Sequence, residues 1–195
     1  MVGRADVEAE MLLLMAAAPD TTSPLASALI ASILADHGTL CRIQSELFDA
    51  ISAGTIRPGH PVPWSTISHL SYFMACVNEA SRLFPSIPAI LPRCVGSGGL
   101  VLADGRIIPE GTAVGVAAAV INRDESVFGE DASVWNPARW LAGGERVNRM
   151  NQFIFTWGWG SRKCPGKHVA LLECCKLVLQ VSQKHFSVKG LSPPC

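Results

Sequence analysis

The sequence predicts one compact unit that is mainly α-helical and carries a single small β-sheet. Three observations support this. Residues 7–84 hold three segments whose apolar residues recur at helical spacing. Beyond Pro88 short strand-like runs replace them, two of them flanking the turn-forming pair Asp104-Gly105. From Cys164 to His185 the helical period returns. At 195 residues the chain is long enough for one domain with a sizeable core and short for two independent ones.

The first helix, residues 7–35, is dense in Ala, Leu and Met and apolar all round, a pattern that describes a buried helix more than a surface one. Pro19 and Pro24 are expected to interrupt it, because proline has no N–H and its ring crowds the preceding turn. A second helix, Leu40 to Ala53, places Leu40, Ile43, Leu47 and Ile51 on one face and ends at Gly54. Pro58, Gly59, Pro61 and Pro63 mark 55–63 as a surface connection. A third helix, residues 65–84, stops at Pro85. Residues 88–121 form the small sheet, with Leu100–Ala103 and Arg106–Ile108 as a hairpin and Thr112–Ile121 as either a short strand or a buried connection. Residues 122–156 show little periodicity and read as an ordered meander. A cysteine loop follows at 157–166. The final helix, 164–185, carries Val169, Leu172, Leu177, Val178 and Val181, with Pro165 at the favoured first helical position.

Composition narrows the function classes. Charged residues make up 16% of the chain and apolar ones 49%, against a usual charged share of about 25%, so part of the surface is expected to be covered by something else. Lys plus Arg and Asp plus Glu balance at 16 each without a basic block, which argues against nucleic-acid binding. The seven cysteines are scattered and form no C-x-x-C pair, so neither a disulfide framework nor a zinc site is expected. The longest apolar runs, Met11–Ala18 and Val114–Ile121, fall short of the roughly 20 residues that span a bilayer. The chain enters a helical pattern directly from MVGRADVEAE, without a targeting segment, and reads as a start in mid-domain.

The chemistry lies in Trp157-Gly-Trp-Gly-Ser-Arg-Lys-Cys164-Pro-Gly166. Gly158 and Gly160 permit tight turns that let a flat ligand approach the backbone, and Cys164 precedes a helix, where a thiol ionises more readily. Cys41, Cys76, Cys94, Cys174, Cys175 and Cys195 have no such setting and read as small buried residues. Glu79 and Arg82, three apart on the third helix, can pair; alone such a pair is a solvated helical ion pair of little worth. Asp20 and Thr21 together could organise a water relay for proton transfer, and in isolation read as a local helix break.

Together these motifs resemble the cytochrome P450 superfamily, in its order and over essentially all 195 residues. The string Gly158 to Gly166 resembles its haem-binding signature, with Trp157 where the family usually has Phe. The resemblance implies the C-terminal portion of that fold with the N-terminal half absent, and Cys164 as the thiolate ligand of the haem iron. It places Gly158, Gly160, Gly166 and Trp157 around the cofactor and pairs Arg162 and Arg93 with its propionates, a surface arginine being the alternative for Arg93. Glu79 and Arg82 would join Arg139 of Trp135-Asn-Pro-Ala-Arg139-Trp140 in a structural triad. Ala17-Ala18-Pro19-Asp20-Thr21-Thr22 resembles the oxygen-facing stretch of the family, with Ala18 in place of its glycine, and assigns Asp20 and Thr21 the catalytic proton relay.

The implied function is a haem-thiolate monooxygenase acting on an apolar small molecule, closest to microsomal-type enzymes and to the fungal branch that includes pisatin demethylase, hence secondary metabolism. The implied cofactor is haem b, with electrons from NADPH passed by NADPH-cytochrome P450 reductase. The implied location is the cytosolic face of the endoplasmic reticulum, held by an anchor outside this chain. Two alternatives stay open: a haem-thiolate isomerase or dehydratase, which dispenses with the acid-alcohol pair, and a catalytically silent fragment.

Overall fold

The computed structural model describes residues 3–186. Eight α-helices, two 3-10 turns and four two-residue strands account for its regular structure. Helix α1 spans Arg4–Ala35, and α2 (His37–Ser52) follows after the single residue Asp36, whose carboxylate caps α2 by accepting the amides of Gly38 and Thr39. Helix α2 ends at Ala53, and Gly54 takes the left-handed conformation (φ 72°) that turns the chain out of the helix.

Helix α1 departs from expectation in two respects. It runs unbroken through Pro19 and Pro24. The helical donors those prolines remove belong opposite the carbonyls of Met15 and Asp20, and both residues are exposed, so water can serve the carbonyls. It is also mostly exposed and not buried: only Leu25, Ala26, Leu29 and Ile33 enter the core, whereas Met11, Leu12, Leu13, Leu14 and Met15 face outward. An all-round apolar surface on a helix reports what could cover it, and among the described residues the C-terminal half of α1 is the part that enters the core.

The expected third helix is two. Helix α3 (Trp64–Ile67) is one turn, and α4 (Ser71–Leu83) starts after a break at residues 68–70. The break has a partner far away in sequence. The Glu46 carboxylate of α2 accepts the amides of Tyr72 (2.8 Å) and Phe73 (2.9 Å), capping α4 where no local side chain does. Helix α4 is the centre of the fold. Phe73, Cys76, Val77 and Ala80 pack with Leu25 and Leu29 of α1, Ile43 and Leu47 of α2, and Cys174, Cys175, Val178 and Leu179 of the last helix. Ala75 joins a second cluster with Phe128, Trp140 and Met150.

The sheet region consists of two antiparallel pairs. Strand β1 (Arg93–Cys94) pairs with β4 (Ala113–Val114), Arg93 opposite Val114, and β2 (Leu100–Val101) pairs with β3 (Ile107–Ile108), Leu100 opposite Ile108. The expected hairpin is therefore present but shorter, closed by Leu102 N–H to Arg106 O and by Gly105 in the left-handed region at φ 84°. Of the alternatives for 112–121, both apply in turn: strand β4, then helix α5 (Ala118–Ile121). Gly115 lies between them because a Cβ there would sit 2.4 Å from Ile90 Cγ2. The reading of Cys94 as buried is corrected: β1 is exposed, because so short a ribbon has nothing packed over that residue.

The meander holds more helix than its sequence pattern announces. Helix α6 (Glu125–Phe128), a 3-10 turn at Pro137–Leu141 and α7 (Gly144–Phe153) lie within it. Helix α7 spans ten residues and presents Val147 and Met150 to the second cluster. The last helix, α8 (Lys167–Phe186), begins later than expected. Its first bond runs from Ala170 N to Gly166 O, so Pro165 lies in the preceding turn and not at the first helical position. Cys76, Cys174 and Cys175 are buried as expected, and Cys195 lies outside the described residues. Cys41 is half-buried and disulfide-bonded, a single cross-link that scattered spacing does not announce. Among the described residues no single helix is long and apolar enough to cross a membrane.

Candidate functional site

Glu79 sits on the inner face of α4 and is fully buried. A lone carboxylate there would be prohibitively costly, so its environment must supply both charge and donors. Arg82, one turn along, binds it through two parallel bonds, Nε to Oε2 and Nη2 to Oε1, both 2.8 Å. Arg139, from the 3-10 turn, donates Nε to Oε1 at 3.0 Å. The Trp140 indole donates to Oε2 at 2.9 Å and the Asn136 backbone amide to Oε1 at 3.0 Å. Glu79 thus accepts five hydrogen bonds, and none of its capacity faces water.

The two guanidinium groups are equally enclosed. Arg82 donates its remaining N–H groups to the carbonyls of Asn122 (2.7 Å), Ala132 and Val134, and stacks on the Phe128 ring at 5.0 Å. Arg139 turns to Asp131, donating Nη1 to Oδ1 and Nη2 to the backbone O, both at 2.9 Å, and also to Phe128 O. Asp131 balances the second arginine, so the four charges cancel. The Asn136 side-chain amide, followed by Arg139, holds the Asp131 carboxyl below its ordinary pKa against the opposing effect of burial. The solvated ion pair that an E-x-x-R string describes by default is not what this pair forms.

One side of this cluster leads to the cysteine loop. Asn122, fully buried beside Arg82, accepts the Phe155 amide on Oδ1 (2.8 Å) and donates Nδ2 to Arg82 O (3.0 Å) and Thr156 Oγ1 (2.9 Å). The Thr156 hydroxyl in turn donates to Ser81 O at 2.6 Å. From Trp157 the chain turns back on itself: Gly158 N donates to Phe155 O, and Cys164 N donates to Trp157 O at 2.8 Å. Gly158 and Gly160 take φ near 70°, which L side chains rarely adopt, so glycine is required at both. Trp157 is half-buried against the main core, with Lys167 Nζ 5.9 Å from its ring centre. Cys164 emerges at the loop's end as a free, exposed thiol, and Arg162 is exposed beside it. A Cβ on Gly166 would come within 3.9 Å of the Cys164 sulfur, so glycine leaves that side of the sulfur open.

The other expected residues lie apart. Arg93 is on β1, exposed, with Nη1 donating to Leu91 O and Pro92 O. Asp20 is exposed on α1, and Thr21, half-buried, donates its hydroxyl to Ala17 O at 2.8 Å while its carbonyl accepts the Ser86 hydroxyl at 2.6 Å. The stretch does not break the helix. Ala18, Pro19, Thr22, Ser23 and Ala26 of α1 line an open groove whose other wall is Glu173, Cys174 and Leu177 of α8. Asp20 and Thr21 belong to that same segment of α1, and Cys164 lies just ahead of α8.

Burial separates Cys164 from Cys76, Cys174 and Cys175, but not from the exposed Cys94. It pushes Cys76 and Cys175 up to about 12 and Cys174 to about 11, which keeps them protonated and inert at neutral pH. The sequence reading did not single out Asn122, Asp131 or Thr156, or assign a bond to Trp140. Trp140 stands directly after Arg139 and was legible as part of that motif. For Asn122, 40 residues from Arg82, no local pattern carries a signal.

The helical core is thus organised on a buried Glu-Arg-Arg cluster that leads to a glycine-framed cysteine. The family model for cytochrome P450 matches residues 2–193, and the chain belongs to that family. It is similar to cytochrome P450 monooxygenase pkfB of Emericella nidulans, 38% identical over 83% of this chain and 31% of the relative. Cytochrome P450 monooxygenase cicH of the same fungus is 38% identical over 91% and 35%, and ACRTS1 of Alternaria alternata 33% identical over 94% and 48%. The chain thus spans between about a third and a half of the length of these relatives. Family membership implies a haem cofactor.

Proposed function

We propose that this chain is the haem-thiolate part of a monooxygenase that inserts one atom of dioxygen into an apolar small molecule of secondary metabolism. The other oxygen atom leaves as water, at the expense of two electrons and two protons. The observation that carries this is the setting of Cys164, a free and exposed thiol at the end of a loop tied down at Trp157 and framed by obligatory glycines. Those features fit haem b: an open sulfur, a backbone without side chains at the approach, and the exposed Arg162 two residues before the sulfur. When bound, the haem supplies dioxygen activation, to which an axial thiolate contributes by pushing electron density toward the iron.

The rest falls to the chain's own residues. Cys164 would provide the sulfur, and Arg162 and Arg93 would take the two propionates, Arg93 by giving up its bonds to Leu91 O and Pro92 O. The Glu79–Arg82–Arg139 cluster would hold the haem-side core, and Trp157 would pack against the sulfur's side of the cofactor. Asp20 and Thr21 would deliver protons: the Thr21 hydroxyl would give up its bond to Ala17 O, and the exposed Asp20 carboxylate would recharge it through water. Electrons would come from NADPH through NADPH-cytochrome P450 reductase, at the cytosolic face of the endoplasmic reticulum.

The test is coupling. In the haem-loaded protein, Thr21→Ala and Asp20→Asn should keep haem but release peroxide in place of product while oxygen consumption continues. Unchanged coupling in both variants would favour the second reading, a haem-thiolate isomerase or dehydratase. The observation that speaks for that reading is the Thr21 hydroxyl already occupied by Ala17 O.

A further inference from the structure

We infer that Asn122 is a positioning residue for the cysteine loop, the only side chain among the described residues that hydrogen-bonds both Arg82 of the buried cluster and the strand of backbone entering the loop. The inference rests on Cys164 being the haem ligand, and adds a residue with no place in the motifs that identify the site.

The bonding at Asn122 is saturated. Its backbone N–H donates to Ala118 O at 3.1 Å and its carbonyl accepts Arg82 Nη1 at 2.7 Å. The side-chain amide makes three further bonds, and their chemistry fixes its orientation. Phe155 N can only donate, so Oδ1 must face it; Arg82 O can only accept, so Nδ2 must face that. The second Nδ2 proton goes to Thr156 Oγ1, whose own proton is committed to Ser81 O. No other side chain of this size offers one acceptor and two donors in this arrangement. An isosteric Asp would meet Arg82 O and Thr156 Oγ1 with oxygen, and a smaller residue would leave the Phe155 amide unpaired.

Position gives these bonds their consequence. Phe155 and Thr156 directly precede Trp157, whose carbonyl accepts the Cys164 amide, and Phe155 O accepts Gly158 N. The line from Glu79 through Arg82, Asn122, Phe155 and Trp157 to Cys164 therefore has five links, four of them hydrogen bonds and the fifth the chain between Phe155 and Trp157. The loop itself is exposed and rich in glycine, so its entry is the place where a rigid core can set the sulfur's height and direction. Asn122 is that point of attachment, and Thr156 is its second arm.

The experiment uses the haem-loaded protein that carries this chain, with Asn122→Ala, Asn122→Asp and the milder Thr156→Val. Two signals are followed: exchange of the Phe155 amide against the Trp140 indole, and the division of the ferrous carbon monoxide complex between its thiolate and neutral-thiol forms. In the unmutated protein the Phe155 amide should exchange as slowly as the Trp140 indole. The variants should speed Phe155 at least tenfold while Trp140 stays slow, and should move the carbon monoxide complex toward the neutral-thiol form. Thr156→Ser should restore both signals. Fast Phe155 exchange in the unmutated protein overturns the inference without any variant, should none of them fold. Equal loosening of Phe155 and Trp140, or variants with unchanged carbon monoxide spectra, also overturns it. An unmutated protein with slow Phe155 exchange but no thiolate band would instead refute Cys164 as ligand, which separates the two failures.

Discussion

Removing the Glu79 carboxylate is the perturbation with the largest expected effect on this fold. In Glu79→Ala five donors lose their acceptor, and they differ in what remains to them. Arg139 keeps Asp131, so its charge stays balanced. Arg82 keeps only backbone carbonyls and becomes a fully buried cation with no counter-charge. Breaking a buried pair in this way costs about 3–5 kcal/mol, a large part of the roughly 5–15 kcal/mol that holds a domain together. The same logic ranks the partners. Arg82→Ala leaves Glu79 with Arg139 and Trp140 but strips three carbonyls. Arg139→Ala leaves the bidentate Arg82 pair intact and an Asp131 side chain that is 41% exposed, which water can serve. Losses should therefore fall in the order Glu79, Arg82, Arg139. Urea titration of the haem-loaded protein, followed by circular dichroism, measures them together with retained haem. A Glu79→Ala protein that loses less than about 1 kcal/mol, the scale of an exposed ion pair, would refute the reasoning. So would one that keeps its haem and changes only substrate choice.

Two further outcomes follow from the packing. Glu46→Ala removes the long-range cap of α4 and should lower stability by about 1 kcal/mol, the usual value of an N-cap, measured by the same titration; no change would mean that the Tyr72 and Phe73 amides find water instead. A thiol reagent at neutral pH should label Cys94 in the haem-loaded protein, and Cys164 as well once haem is extracted. Cys76, Cys174 and Cys175 should stay unreacted until the chain unfolds, and native-state labelling of any of them would contradict their burial.

How far the sequence could be read depended on the range of the forces involved. Local signals served well. Gly54 ended α2, Asp104-Gly105 marked the β2–β3 turn, and the spacing of Leu40, Ile43 and Leu47 placed α2 correctly on the core. Long-range contacts set what was misjudged. The break before α4 is made by Glu46, some 26 residues away, and no propensity at 68–70 announces it. The exposure of Met11–Met15 depends on what packs on α1, which an amphipathicity pattern cannot supply when every face is apolar. Helix α7 was missed for a different reason: Val147 and Met150 do stand three apart, but ten residues beginning at Gly143-Gly144 give too short a period to stand out. Within the site, motif residues were legible as chemistry while their environment was not. Glu79, Arg82 and Arg139 stand out as a charged set, but their complete burial, the Asp131 counter-charge and the Asn122 link appear only when segments 40 to 60 residues apart are brought together.

Whether Cys164 ligates haem decides whether the remaining assignments have meaning, and one spectrum tests it. The haem-loaded protein carrying this chain is reduced, exposed to carbon monoxide and compared with Cys164→His and Cys164→Ala. The unmutated protein should absorb at the position of a thiolate-ligated haem, and both variants should lose that band, Cys164→His by shifting to the imidazole-ligated position. A thiolate band that persists in Cys164→Ala would assign the sulfur to another cysteine, with the exposed Cys94 the first to examine, and would contradict the account at its centre.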